Sequence, residues 1–124
     1  VGIEAATLIE MVRRQVYPAV VRYTGEIAET VNRMRTAGAA AVSTVRLLDT
    51  LTALVDQIDS ELGALRDAYA RSQSIEDVHA HAEFMRSDIR LCMESLRAAC
   101  DAAETIMDGS CWPMPTYTDL LLRV

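Results

Sequence analysis

Apolar side chains recur at spacings of three and four along almost the whole chain. That pattern leaves few folds open other than long, packed helices, because residues three and four apart share one helix face. The pattern comes in three stretches. The first spans about 3–36 and carries Ala5, Leu8, Val12, Val16, Val20, Tyr23, Ile27, Val31 and Met34. The second spans about 41–71 and carries Leu48, Leu51, Val55, Ile58, Leu62, Leu65 and Tyr69. The third spans about 75–108 and carries Val78, Ala82, Met85, Ile89, Cys92, Leu96, Ala99, Ala103 and Ile106. Helices of this size are roughly 45–50 Å long. Short connections between long helices make neighbours antiparallel. The spacing therefore predicts an all-α fold: one domain over 1–124, an up-down-up bundle of three long helices with an extended Trp-Pro tail at 110–124.

The breaks in the pattern carry their own chemistry. Gly38, in Thr36-Ala37-Gly38-Ala39, suits a left-handed C-cap. Arg71-Ser72-Gln73-Ser74 reads as a polar connection, and Ser74-Ile75-Glu76-Asp77 matches a capping box that would start the third helix at about 75. Gly109 suits the position just past that helix. Pro18 lies inside the first stretch, where it removes a backbone donor and should kink the helix near Arg14 to Tyr17. Gly63 lies inside the second, and close helix approach would account for it. Pro113 and Pro115, at alternate positions, hold the chain extended after Cys111. Trp112, the sole Trp, stands at that turn, and Tyr117, Asp119, Leu120 and Leu121 follow. A tail this apolar is expected to dock on something.

Half of the 124 residues are apolar (51%) but only 5% are aromatic, which favours helix over sheet. The net charge of −6 argues against nucleic acid and against an anionic membrane surface as partners. Every basic residue is Arg, so a Schiff-base or phosphate-loop lysine is excluded. No run approaches the ~20 apolar residues of a membrane span. Cys92, Cys100 and Cys111 make an odd count without zinc-type spacing. Cys92 and Cys100 stand about 12 Å apart along one helix, too far to bridge. Reduced thiols fit a cytoplasmic protein.

Glu76-x-x-His79 has the spacing of a metal ligand pair in carboxylate bundles, and His81 and Glu83 lie close by. A di-metal bundle needs a second such pair, and the chain has two His in all. These residues read as a solvated helix start. His81 and Cys92 are about three turns apart on one helix, beyond hydrogen-bond reach. No phosphate-binding glycine loop and no nucleophile elbow is present. Most Met residues read as core filler. Trp112 and Tyr117 are the best contact candidates, since each pairs an apolar body with a polar tip. Packing on the chain's own helices and contact with another surface both remain open for them.

The tail Trp112-Pro113-Met114-Pro115-Thr116-Tyr117-Thr118-Asp119-Leu120-Leu121-Leu122 resembles the C-terminal signature of type III glutamine synthetases, with Leu122 where an aromatic residue is expected. Glu4-Ala5-Ala6-Thr7-Leu8-Ile9-Glu10-Met11, followed by Pro18-Ala19-Val20, is similar to a second element of that family. The resemblance implies that the chain is a fragment of a larger enzyme, an expectation the initial Val1 fits. The parent would join ammonia to glutamate with ATP and Mg or Mn, in the cytoplasm, as a homo-oligomer of stacked rings. Its catalytic residues would lie upstream, so this chain would hold no catalytic, cofactor or metal site. It would serve assembly, with the catalytic domain and neighbouring subunits as partners. The rival expectation is a free-standing helical module that binds a partner helix.

Overall fold

In the computed structural model of the chain, residues 2–114 are described. Their order is α1 (Gly2–Met11), a π-turn (Val12–Val16), α2 (Tyr17–Thr36), α3 (Val42–Gln73), α4 (Val78–Phe84), a second π-turn (Met85–Ile89), α5 (Arg90–Ile106) and a 3₁₀ turn (Gly109–Cys111). The two π-turns join their flanking helices, so there are three long helical stretches and no strand among the described residues. The middle stretch, α3, packs against α1 and α2 and against α5.

One buried cluster draws on all three stretches. Ala5, Leu8, Val12, Val16 and Val20 meet Leu51, Ile58, Leu62 and Leu65 from α3, and Met85, Ile89, Leu96 and Ala103 from the third stretch. Leu51, Ile58, Leu65, Ile89 and Leu96 are fully buried, as their periodicity predicts, and Leu62 nearly so. The buried stripe is wider than the predicted seam. Ile9, Ala19, Leu54, Ala68, Met93, Cys100 and Met107 also lie inside. Several seam positions, among them Tyr23, Ile27, Leu48, Val55 and Tyr69, are only half-buried, and two are exposed: Val78 at 80% and Met34 at 37%. Val78 begins α4 and Met34 is in the last turns of α2, where neighbouring stretches give less cover. Ser72 is the one buried polar side chain described, and its hydroxyl donates to the Tyr69 carbonyl at 2.6 Å.

The interruption expected at Arg14 to Tyr17 is a π-turn. Tyr17 N–H donates to the Val12 carbonyl, five residues back, and Pro18 follows in the first turn of α2. The backbone stays helical through Val16 (φ −73°, ψ −54°), so Pro18 lies inside a continuous stretch, where it cannot donate to the ladder. The second π-turn, Met85–Ile89, contains no proline and had no sequence signal.

Two helix-end readings and the reading of Gly63 need correction. The third helix starts at Val78, not 75. Ser74 ends α3, its hydroxyl donating to the Arg71 carbonyl at 2.8 Å, while the Asp77 carboxylate accepts the Ala80 N–H at 2.9 Å. Asp77 is extended (φ −67°, ψ 126°), as an N-cap requires, so it takes the role assigned to Ser74. Gly109 is not a left-handed terminator either. Met107 leaves the helix extended, and Asp108 caps a 3₁₀ turn by accepting the Ser110 N–H at 3.0 Å. Gly63 meets no close neighbour, since a Cβ there would find open space. Gly38 does take the expected left-handed conformation (φ 92°), and Ala41 at the other end of the turn is left-handed too (φ 54°).

The ion pairs add little to this fold. Glu10–Arg13, Glu29–Arg33, Glu83–Arg86 and Arg90–Glu94 all lie within single helices on exposed side chains. Across the turn between the second and third stretches, the Arg71 guanidinium stands 5.7 Å from the Phe84 ring centre.

Candidate functional site

Beyond α5 the chain crosses back over the first helical stretch, and this is where the contact candidates meet the core. The turn Gly109–Cys111 forces the crossing, and Ser110 and Cys111 come to lie beside Ala19, Arg22, Tyr23 and Glu26. The Asp108 carboxylate is held below its usual range by the backbone N–H and hydroxyl of Ser110, both of which favour its charged form. Trp112 and Met114 are partly buried and pack against the core; Pro113 between them is exposed.

Together they close one side of a cleft of about 200 Å³. Its floor is Leu8, Met11, Val16 and Cys100, and its rim carries Arg97, Asp101 and Glu104. The cleft is thus apolar inside and charged at the edge. Its two walls come from the first stretch, through Leu8, Met11 and Val16, and from α5, through Arg97, Cys100, Asp101 and Glu104. Burial, with Asp101 beside it, pushes the Cys100 thiol up to about 11. Cys92 is also raised, by burial first and then by Asp88 and Glu61. Both are poor nucleophiles as a result, since the thiolate is the reactive form.

The sequence candidates fare unequally. Pro18 sits half-buried near the start of α2, two residues after the cleft residue Val16. Trp112 and Pro113 are placed as just described. Pro115, Tyr117, Asp119, Leu120 and Leu121 lie outside the described residues. The cleft floor itself was not foreseen as a site; Leu8 and Val16 were read only as core. His79 is exposed on the first turns of α4. Among the described residues no three His, Cys, Asp or Glu side chains gather as a metal ion would require.

Residues 1–35 match the glutamine synthetase C-terminal domain. The matched segment covers α1, the π-turn and nearly all of α2, so it includes Pro18 and the cleft residues Leu8, Met11 and Val16. It supports reading the chain as a glutamine synthetase C-terminal domain, and it does not reach the Trp-Pro tail. Comparisons with curated proteins and with solved structures found no match. No helix among the described residues is long and apolar enough to cross a membrane.

Proposed function

We propose that this chain is the non-catalytic C-terminal assembly region of a type III glutamine synthetase, with its three helical stretches arranged up-down-up. The parent enzyme, in this reading, forms glutamine from glutamate and ammonia in the cytoplasm, using ATP with Mg or Mn bound upstream. The observation that carries the proposal is the family match over residues 1–35. The tail string from Trp112 to Leu121, at the opposite end of the chain, supports the subtype. The up-down-up arrangement is supported by the lining of two clefts. Gly2 lies near Met85, Glu4 lines one cleft with Arg86, Arg90 and Arg97, and Leu8, Met11 and Val16 line the next with Arg97, Cys100 and Glu104, so the first and third stretches advance together. The short turn between Thr36 and Val42 folds α3 back between them in sequence.

The role follows from the chemistry of the surface. The cleft floor offers apolar side chains and two thiols of low reactivity lie near the core, so the chain's chemistry is that of packing. The Trp-Pro segment is the contact element: Trp112 packs on the helices, and Pro115, Tyr117, Asp119, Leu120 and Leu121 are the contacts for the catalytic domain or a neighbouring subunit. Two measurements test this. The full polypeptide that carries the chain should make glutamine in an ATP-dependent assay and sediment as a large assembly that shrinks when residues 1–124 are removed. The isolated chain should not bind ATP in calorimetry. A full polypeptide without glutamine-forming activity, or an isolated chain that binds ATP, would overturn the proposal.

A further inference from the structure

After α5 the chain runs back along the first helical stretch. Ser110 and Cys111 lie beside Ala19, Tyr23 and Glu26, and Trp112 and Met114 line the cleft of Leu8, Met11 and Val16. Between Ser110 and Met114 it has moved from the height of Tyr23 to that of Met11, so it is heading for the start of α1. A second cleft, of about 300 Å³, lies ahead of it. Its walls are Glu4 from α1 and Arg86, Arg90, Met93, Glu94 and Arg97 from the third stretch. Arg97 lines both clefts, and Glu4 stands one turn before Leu8 on α1, so the two clefts form one groove between the first and third stretches. No described residue after Arg97 lines the second cleft.

We infer that residues 115–124, which lie outside the described residues, take this second cleft as their seat on the same chain. Direction and length select that occupant. Met114 lines the first cleft with Arg97, Cys100 and Glu104, which puts it near the height of Cys100. Pro115 favours an extended backbone for the residue before it. Five extended residues span about 17 Å, and the helix rises about 15 Å between Arg90 and Cys100. Tyr117 then falls at Met93, and Asp119 falls between Arg90 and Arg86, which stand one turn apart on one side of the third stretch.

The charges agree with this placement. The second cleft holds Arg86, Arg90 and Arg97 against Glu4 and Glu94, a net of +1 within a chain of net −6. Asp119 is the one acidic residue of 115–124. Arg86 is held by Glu83 at 2.7 Å and Arg90 by Glu94 at 3.4 Å, while Arg97 makes no ion pair among the described residues. Each guanidinium has five N–H donors, so a carboxylate arriving between Arg86 and Arg90 finds donors left over on two forks that their helix neighbours already orient. Met93 and the arginine stems offer apolar surface to Tyr117. The inference does not rest on the glutamine synthetase reading. Under that reading the tail meets the catalytic domain or a neighbouring subunit only after leaving the groove, so the two surfaces compete for one segment.

NMR of the 124-residue chain tests it. The wild type should give NOE cross-peaks between the Tyr117 ring and the Met93 ε-methyl group. In an isotope-filtered experiment on mixed labelled and unlabelled chains, these cross-peaks should arise within one chain. Asp119→Arg should weaken docking about fivefold, because a like charge then meets Arg86 and Arg90. The loss is read from weaker cross-peaks and from Tyr117 resonances that move towards random-coil positions. Arg90→Glu should weaken docking similarly, and the two substitutions together should recover most of it. Circular dichroism should show unchanged helicity, since Arg90 is exposed and residue 119 follows α5 in sequence. A wild type without the Tyr117–Met93 cross-peaks would overturn the inference, as would single variants that keep them at full strength or a double variant no better than either single one. Cross-peaks that arise only between chains would overturn it too, since the seat would then belong to a second copy.

Discussion

Replacing Trp112 by alanine tests whether the crossing segment is held on the helices or merely rests there. A Trp side chain that is largely covered removes about 150 Å² of apolar area from water. At about 25 cal/mol per Å² that corresponds to about 3.8 kcal/mol. A compact unfolded chain already hides part of this area, which lowers the figure to about 2–3 kcal/mol. Leu8, Met11, Val16 and Cys100 line the cleft that the indole helps to close, and the charged rim of Arg97, Asp101 and Glu104 would admit water into the space left behind. Collapse of the cleft is therefore not needed, and the cavity penalty of a closed core is avoided. Unfolding entropies near 2.1 cal/mol/K per residue make 1 kcal/mol worth about 4 °C in a chain of 124 residues. The expected result is a fall in Tm of about 8–12 °C by far-UV circular dichroism, with the starting helicity unchanged. A Trp112→Phe variant should fall between the two. A Tm within about 2 °C of wild type would refute the reasoning, because the indole would then contribute nothing through its contacts.

Three further outcomes follow from particular contacts. Leu65→Ala, at a site that is 0% exposed, should cost about 2–5 kcal/mol in urea unfolding. Asp77→Ala should cost about 1 kcal/mol and Ser74→Ala less, since Asp77 holds the Ala80 N–H. Between pH 9.0 and about 11 the Cys100 thiol stays protonated when folded but ionises when unfolded. The unfolded state then binds fewer protons, so this group's contribution is complete below pH 9.0 and is lost as pH rises through that window. Urea midpoints compared across it should fall more steeply for wild type than for Cys100→Ala, and equal slopes would count against the assignment.

The fold class was legible because burial along a helix is periodic. Leu51, Ile58, Leu62, Leu65, Ile89 and Leu96 announce themselves by spacing, and Gly38 announces the first turn because so few residues accept its conformation. The match of residues 1–35 agrees with the element read from Glu4 to Val20.

Tertiary structure decided what local preference leaves degenerate. Ser74 and Asp77 are both good caps, and only the path between α3 and α4 assigns the role to Asp77. A π-turn differs from an α-turn by one hydrogen-bond register, a difference small enough for packing of Val12, Val16, Met85 and Ile89 to settle. The cleft under Trp112 joins residues roughly a hundred positions apart, which no periodicity encodes. Between Val21 and Thr50 only Val31 is buried, because the third stretch leaves its helix before reaching that height. Helices are specified by neighbours three and four residues away; where one helix stops against another depends on the whole packed arrangement.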